Sequence, residues 1–127
     1  MIKSFSKINL FLKVLKKNQS GLHNIQSSVM LIDLYDRIRI QNTNKKKDEI
    51  KFIGQFKNKI NSKNNSITKS LKILRKYHLI NKKKKFKIIV EKRIPVFAGL
   101  GGGTSNAAYL IKYFLKKKSY SKFSKSI

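Results

Sequence analysis

Four of the six glycines in this chain fall within Gly99 to Gly103, and that crowding constrains the fold more than any other feature. Before it comes an alternating stretch, with Phe86, Ile88 and Val90 set among lysines and Glu91. After it, Ala107, Ile111 and Phe114, with Ala108, Leu110 and Leu115, make a helical apolar face. A strand, a glycine-rich turn and a helix in succession leave main-chain N–H groups bare where the helix begins. The helix dipole places about half a positive charge there, and glycine lets the backbone approach an anion with no Cβ in the way. The expected product is a phosphate cradle built from Gly99-Leu100-Gly101-Gly102-Gly103-Thr104-Ser105. Two common phosphate loops do not fit. A Walker A loop needs lysine after its last glycine, where Thr104 follows Gly103. A dinucleotide fingerprint needs glycine where Thr104 stands, and an acidic partner about 20 residues further on that the sequence lacks. The bland alternative is a turn that only links strand to helix, but so many glycines would cost folding entropy with nothing to offset it.

The remaining periodicities place this loop in an α+β chain. Ile8, Leu10, Leu12 and Val14 alternate with Lys7, Asn9, Phe11 and Lys13, which predicts a half-buried strand from Ser6 to Leu15. The turn cluster Asn18-Gln19-Ser20-Gly21 leads to a second extended run, about Asn24 to Leu31, and the pair reads as a hairpin. Asp33 to Asp36 is expected to break that run before a third strand over Arg37 to Asn42. Glu49 to Ile53 fits a short edge strand. From Ser66 the period becomes helical through Ile67, Leu71, Leu74 and His78, with Asn65 or Ser66 as N-cap and His78 read as structural. The residues from Lys116 onward read as a frayed or clipped end.

Composition narrows the function classes. The 127 residues suffice for one domain with a real core. With no cysteine, two histidines and five acidic residues, a protein-built metal cage is not expected. No apolar run is long enough to span a bilayer, and the N-terminal stretch does not read as a signal peptide, so the expected location is cytoplasmic. The net charge of +26 admits two readings. One is a nucleic-acid or anionic-membrane binder. The other is compositional drift, since Lys, Asn and Ile are enriched together and the lysines spread along the whole chain. Without a motif that interleaves arginine and aromatics, drift is favoured.

The segment Pro95-Val96-Phe97-Ala98-Gly99-Leu100-Gly101-Gly102-Gly103-Thr104-Ser105-Asn106-Ala107-Ala108 resembles the phosphate-binding motif of the galactokinase, homoserine kinase, mevalonate kinase and phosphomevalonate kinase superfamily, the GHMP kinases. Ser6-Lys7-Ile8-Asn9-Leu10-Phe11-Leu12 is similar to that family's first-strand motif. Gly21-Leu22-His23, then Gln26 and Leu31-Ile32-Asp33, are similar to its next segment. The resemblance is strongest to the branch that phosphorylates diphosphocytidyl methylerythritol in non-mevalonate isoprenoid synthesis.

The resemblance implies a GHMP kinase N-terminal domain over residues 1–127, with a mixed sheet packed against helices in the two-layer manner of a ribosomal-protein domain. It implies ATP and Mg2+ as cofactors and a small-molecule substrate, with no specific nucleic acid and no membrane partner. Pro95, Gly99, Leu100, Gly101, Gly102, Gly103, Thr104, Ser105 and Asn106 would surround the ATP phosphates, with Thr104 or Ser105 aiding the metal-bound phosphate. Asn65 would lie near the adenine. Lys7 would sit beside the attacking hydroxyl as the catalytic cation, with Asn9, on the same strand face, binding the substrate in the shared pocket. His23 would bond the cytosine, and Leu22 stands where the family has an aromatic. The family's catalytic aspartate lies beyond the helix that follows the loop. The chain is therefore expected to be truncated, to lack the C-terminal kinase domain and to be inactive alone. Asp33, Asp36 and Asp48 fall outside the catalytic motif and receive no role. Two competing readings are a basic RNA-binding domain of ribosomal-protein type and a non-functional kinase remnant.

Overall fold

The computed structural model describes the backbone of residues 1–123 and the side chains of residues 1–117. The elements are β1 (Ile2–Lys17), β2 (His23–Thr43), β3 (Glu49–Ile53), a 3-10 turn at Lys57–Lys59, α1 (Ser66–Lys76), β4 (Lys85–Glu91) and α2 (Gly102–Phe123). The four strands form one sheet in the order β1-β2-β4-β3. β2 runs antiparallel to both β1 and β4, while β3 runs parallel to β4. Parallel neighbours need a crossover, and α1 supplies it between β3 and β4. The α+β class and the mixed sheet agree with the expectation.

The core lies between the sheet and the two helices. Ile38 of β2 and Phe86, Ile88 and Val90 of β4 meet Ile67, Leu71 and Leu74 of α1 and Leu110 and Phe114 of α2. The rings of Phe86 and Phe114 lie 4.9 Å apart between centroids. Alternation along β4 and the three- and four-residue spacing along the helices put these residues on single faces. Asn65 caps α1, its Oδ1 accepting from the Thr68 amide at 3.0 Å. At the other end of that helix, Arg75 donates two bonds to Asp48, which also accepts from the Phe86 amide.

Several sequence expectations change. β1 begins at Ile2, four residues before the expected start at Ser6, and β2 is one strand rather than two. Asp33 and Leu34 do not break it. They form a bulge, since Phe5 pairs with Tyr35 and Ser6 with Ile32. α1 ends at Lys76, so His78 lies beyond the helix with a left-handed φ of 53°. α2 continues to Phe123, past the frayed end expected from Lys116; residues 124–127 lie outside the described part. The Ser6–Leu15 stretch is a strand but not half-buried: Leu10, Leu12 and Val14 are all exposed. Only β1 pairs with β2 from His23 to Ile32, so this part of the hairpin is an arm beyond the helix-covered sheet.

Candidate functional site

After Glu91 the chain leaves the sheet and runs through Lys92 and Ile94 into the glycine loop. α2 then starts at Gly102, inside the glycine run. The Ser105 amide donates to the Gly101 carbonyl at 2.8 Å, closing the first helical turn. By helix geometry the N–H groups of Gly102, Gly103 and Thr104 precede any intrahelical acceptor. They sit at the edge of a cleft of about 490 Å³, within the range of small-molecule sites. Pro95 through Thr104 form one wall; Asn61, Asn65 and Ser66 at the head of α1 form another, and Phe52 and Ile60 supply apolar surface.

The loop is stitched to β1. The Lys7 amide donates to the Leu100 carbonyl at 3.1 Å, and the Ser105 hydroxyl donates to the Phe5 carbonyl. Gly101, at φ 68°, lies against the Lys7 side chain, and a Cβ there would stand 3.2 Å from Lys7 Cε. A Cβ on Gly102 would stand 3.0 Å from Ile94 Cγ2 and 3.4 Å from Lys92 Nζ. These are the two positions where a side chain would push the loop off its support. Phe97 also has a left-handed φ, 65°, and stands 90% exposed on the cleft wall.

The structure thus gathers most of the expected site residues. Pro95, Gly99, Leu100, Gly101, Gly102, Gly103, Thr104, Asn106 and Asn65 all line the cleft. Asn65 does so while spending its side chain on the fold, since its Nδ2 also donates to the Asn61 and Ser62 carbonyls. Ser105 is held by Phe5 rather than presented to the cleft, so of the two hydroxyls Thr104 is the one on the lining. Lys7 crosses the loop and donates through Nζ to Asn9 Oδ1 at 3.1 Å, bringing those two together. His23 is not part of this group. It is exposed near the turn of the arm, paired with Lys17, at the far end of the hairpin from the loop.

One constellation escaped the sequence reading. Asp36, fully buried, accepts from the Arg93 and Ile94 amides through Oδ1 at 2.8 and 2.9 Å. Its Oδ2 accepts from Lys92 Nζ and, at 3.0 Å, from Asn106 Nδ2. Lys92 and Asn106 are themselves 3% and 2% exposed. The signal was present in the alternation: Asp36 shares parity with Ile38, so it points toward the core, where a carboxylate persists only with partners.

No group of three or more His, Cys, Asp or Glu side chains fit to hold a metal occurs among the described residues. Asp36, the acid beside the loop, is saturated by four donors. Among the described residues, Thr104 and Ser66 are the hydroxyl-bearing side chains on the cleft lining. No described helix is long and apolar enough to cross a membrane.

A phosphate-ready helix start, held against a lysine-bearing strand in a mixed α+β fold, defines a class, and comparison with known proteins specifies it. The profile of the GHMP kinases N terminal domain matches residues 65–122, so over that stretch the chain is similar to the GHMP kinases. Over 117 residues it is 52% identical to the 4-diphosphocytidyl-2-C-methyl-D-erythritol kinase of Pelagibacter ubique (strain HTCC1062), covering 92% of this chain and 41% of that protein. Over 112 residues it is 40% identical to the protein of the same name from Finegoldia magna, covering 88% of this chain and 39% of that protein. A crystal structure of 4-(cytidine 5'-diphospho)-2C-methyl-D-erythritol kinase superposes with a TM-score of 0.68 at 24% identity, over 92% of this chain and 40% of that one. The chain thus spans about two-fifths of the length of the relatives it matches.

Proposed function

We propose that this chain is the ATP-binding part of a kinase that phosphorylates the free hydroxyl of 4-diphosphocytidyl-2-C-methyl-D-erythritol, in the cytoplasm and in non-mevalonate isoprenoid synthesis. The observation that carries the reading is the stitching of the glycine loop to β1, which sets the Lys7 side chain across Gly101. Phosphoryl transfer asks mainly for positioning and charge stabilisation. The amides of Gly102, Gly103 and Thr104 grip the phosphates, and Lys7 offers a cation where the attacking hydroxyl meets the transferred group. Thr104, on the cleft lining, would face a Mg2+ brought by the nucleotide, which would supply neutralisation of the phosphate charge. Asn65 shapes the pocket wall where the adenine lies. Asn9 orients Lys7, and His23 awaits the cytidine end of the substrate along the arm.

The general base is proposed to come from a further segment. No carboxylate among the described residues is bonded to Lys7, whose Nζ donates to Asn9. The same segment would cover the apolar arm. The 127 residues alone are then expected to bind ATP and to transfer nothing. A phosphoryl-transfer assay with ATP and the diphosphocytidyl substrate tests this. Turnover by the intact protein, absent from these residues alone, is the expected result; turnover by these residues alone would show that the base lies within them.

A further inference from the structure

The glycine loop has two stems, and one buried carboxylate holds both. Asp36 Oδ1 takes the Arg93 and Ile94 amides where the chain enters the loop. Asp36 Oδ2 takes Asn106 Nδ2 on the exit stem, one turn into α2. Lys92 Nζ closes the set as the counter-charge, and it lies 3.4 Å from where a Cβ on Gly102 would be, directly beneath the first residue of the helix. Asn106 Oδ1 is buried and has no hydrogen-bond partner.

A bare carboxylate in that position would oppose the site above it. Charges in a poorly solvated interior interact over several ångströms with little screening, and a negative charge under the helix start works against the dipole that attracts phosphate. We propose that Asp36, Lys92 and Asn106 form a charge-balanced clamp: Asp36 and Asn106 are positioning residues that fix the two stems of the loop, and Lys92 cancels the carboxylate's field so that the cradle can accept a polyanion. None of the three acts on the reacting atoms. The proposal rests on the nucleotide reading of the cleft.

The test compares ATP with adenosine, which shares the base and sugar but carries no phosphate. Both are titrated into the intact protein and into Lys92→Met and Lys92→Met/Asp36→Asn. In Lys92→Met the carboxylate loses its counter-charge, so ATP affinity is expected to fall by about tenfold or more, with adenosine affinity unchanged within about twofold. The double variant removes the charge, keeps an oxygen for the two amides and offers an amide nitrogen to Asn106 Oδ1. It is expected to regain ATP affinity to within about threefold of wild type. An unchanged ATP-to-adenosine ratio in Lys92→Met, or a double variant as weak as the single one, overturns the proposal. Wild-type protein that binds neither ligand overturns the nucleotide reading instead. Should Lys92→Met not fold, Asn106→Ala is read the same way: it frees the exit stem, and an ATP-to-adenosine ratio equal to wild type refutes the clamp.

Discussion

At the residue scale, chemistry concentrates on a few side chains whose neighbours fix their roles. Lys7 is held by its own amide, by Asn9 and by contact with Gly101, so its ammonium is placed rather than solvated at random. On the proposed function, Lys7→Met in the full-length kinase is expected to lower kcat by about 100-fold or more while ATP affinity stays within about threefold, because on that reading the loop and not the lysine grips the phosphates. Steady-state kinetics beside an ATP titration check that split. Tyr35 gives a second residue-level prediction. The hydrogen bond from Arg37 pulls its hydroxyl below the ordinary tyrosine range, and Lys3 and Arg93 add to the effect. Near-ultraviolet titration should find one tyrosinate forming early as pH rises, and Arg37→Gln should move it back up. The sign follows from linkage: the ionised form is favoured in the fold, so this contribution is full above the unfolded pKa and fades as pH falls through the folded one. Lys7 and the glycines were legible in the sequence because each sat in a motif. Asp36 was not, because its importance depends on Lys92 and Asn106, which are 56 and 70 residues away.

At the element scale, the same apolar alternation has two outcomes. Along β4 it buries Phe86, Ile88 and Val90 against α1 and α2. Along the arm it leaves Leu10, Leu12 and Val14 in the open. Leu74→Ala, in the core, is expected to cost about 2–5 kcal/mol of stability. Leu12→Ser, on the arm, is expected to change the stability of these residues by less than about 0.5 kcal/mol. Chemical denaturation of the two variants makes the comparison, and equal losses would show that the arm is packed. Periodicity established that β1 and β4 are strands, that β3 is an edge and that a helix starts at Asn65 or Ser66, of which Asn65 is the cap. It could not say what covers a strand, since covering is a property of the partner. Nor could it join the two expected strands into β2, because the Asp33–Leu34 bulge looks in sequence like a break. Periodicity extended α1 to His78, where a left-handed φ marks a chain already past the helix.

At the scale of the whole molecule, a basic exterior is joined to an apolar arm and a cleft beside the glycine loop. The +26 charge is carried by lysines along the whole chain rather than gathered at the cleft, in keeping with composition more than with a single polyanion site. Taken alone, the 127 residues expose Leu10, Phe11, Leu12, Val14, Ile25, Val29 and Leu31 on one hairpin. Contiguous apolar surface of that kind is a contact waiting for a partner. Binding of a hydrophobic dye is therefore expected to be strong for these residues alone and to fall in a longer chain that carries the proposed further segment; equal dye binding would place the partner elsewhere. The most direct test of the glycine-loop cradle is an equilibrium titration of ATP into the intact protein and into Gly102→Val, whose side chain would press on Ile94 and Lys92. Saturable binding by wild type, weakened by about 100-fold or more in the variant with the fold intact by circular dichroism, is the predicted result. Equal ATP affinity in the two proteins would contradict it, because the phosphates would then be held somewhere other than the start of α2.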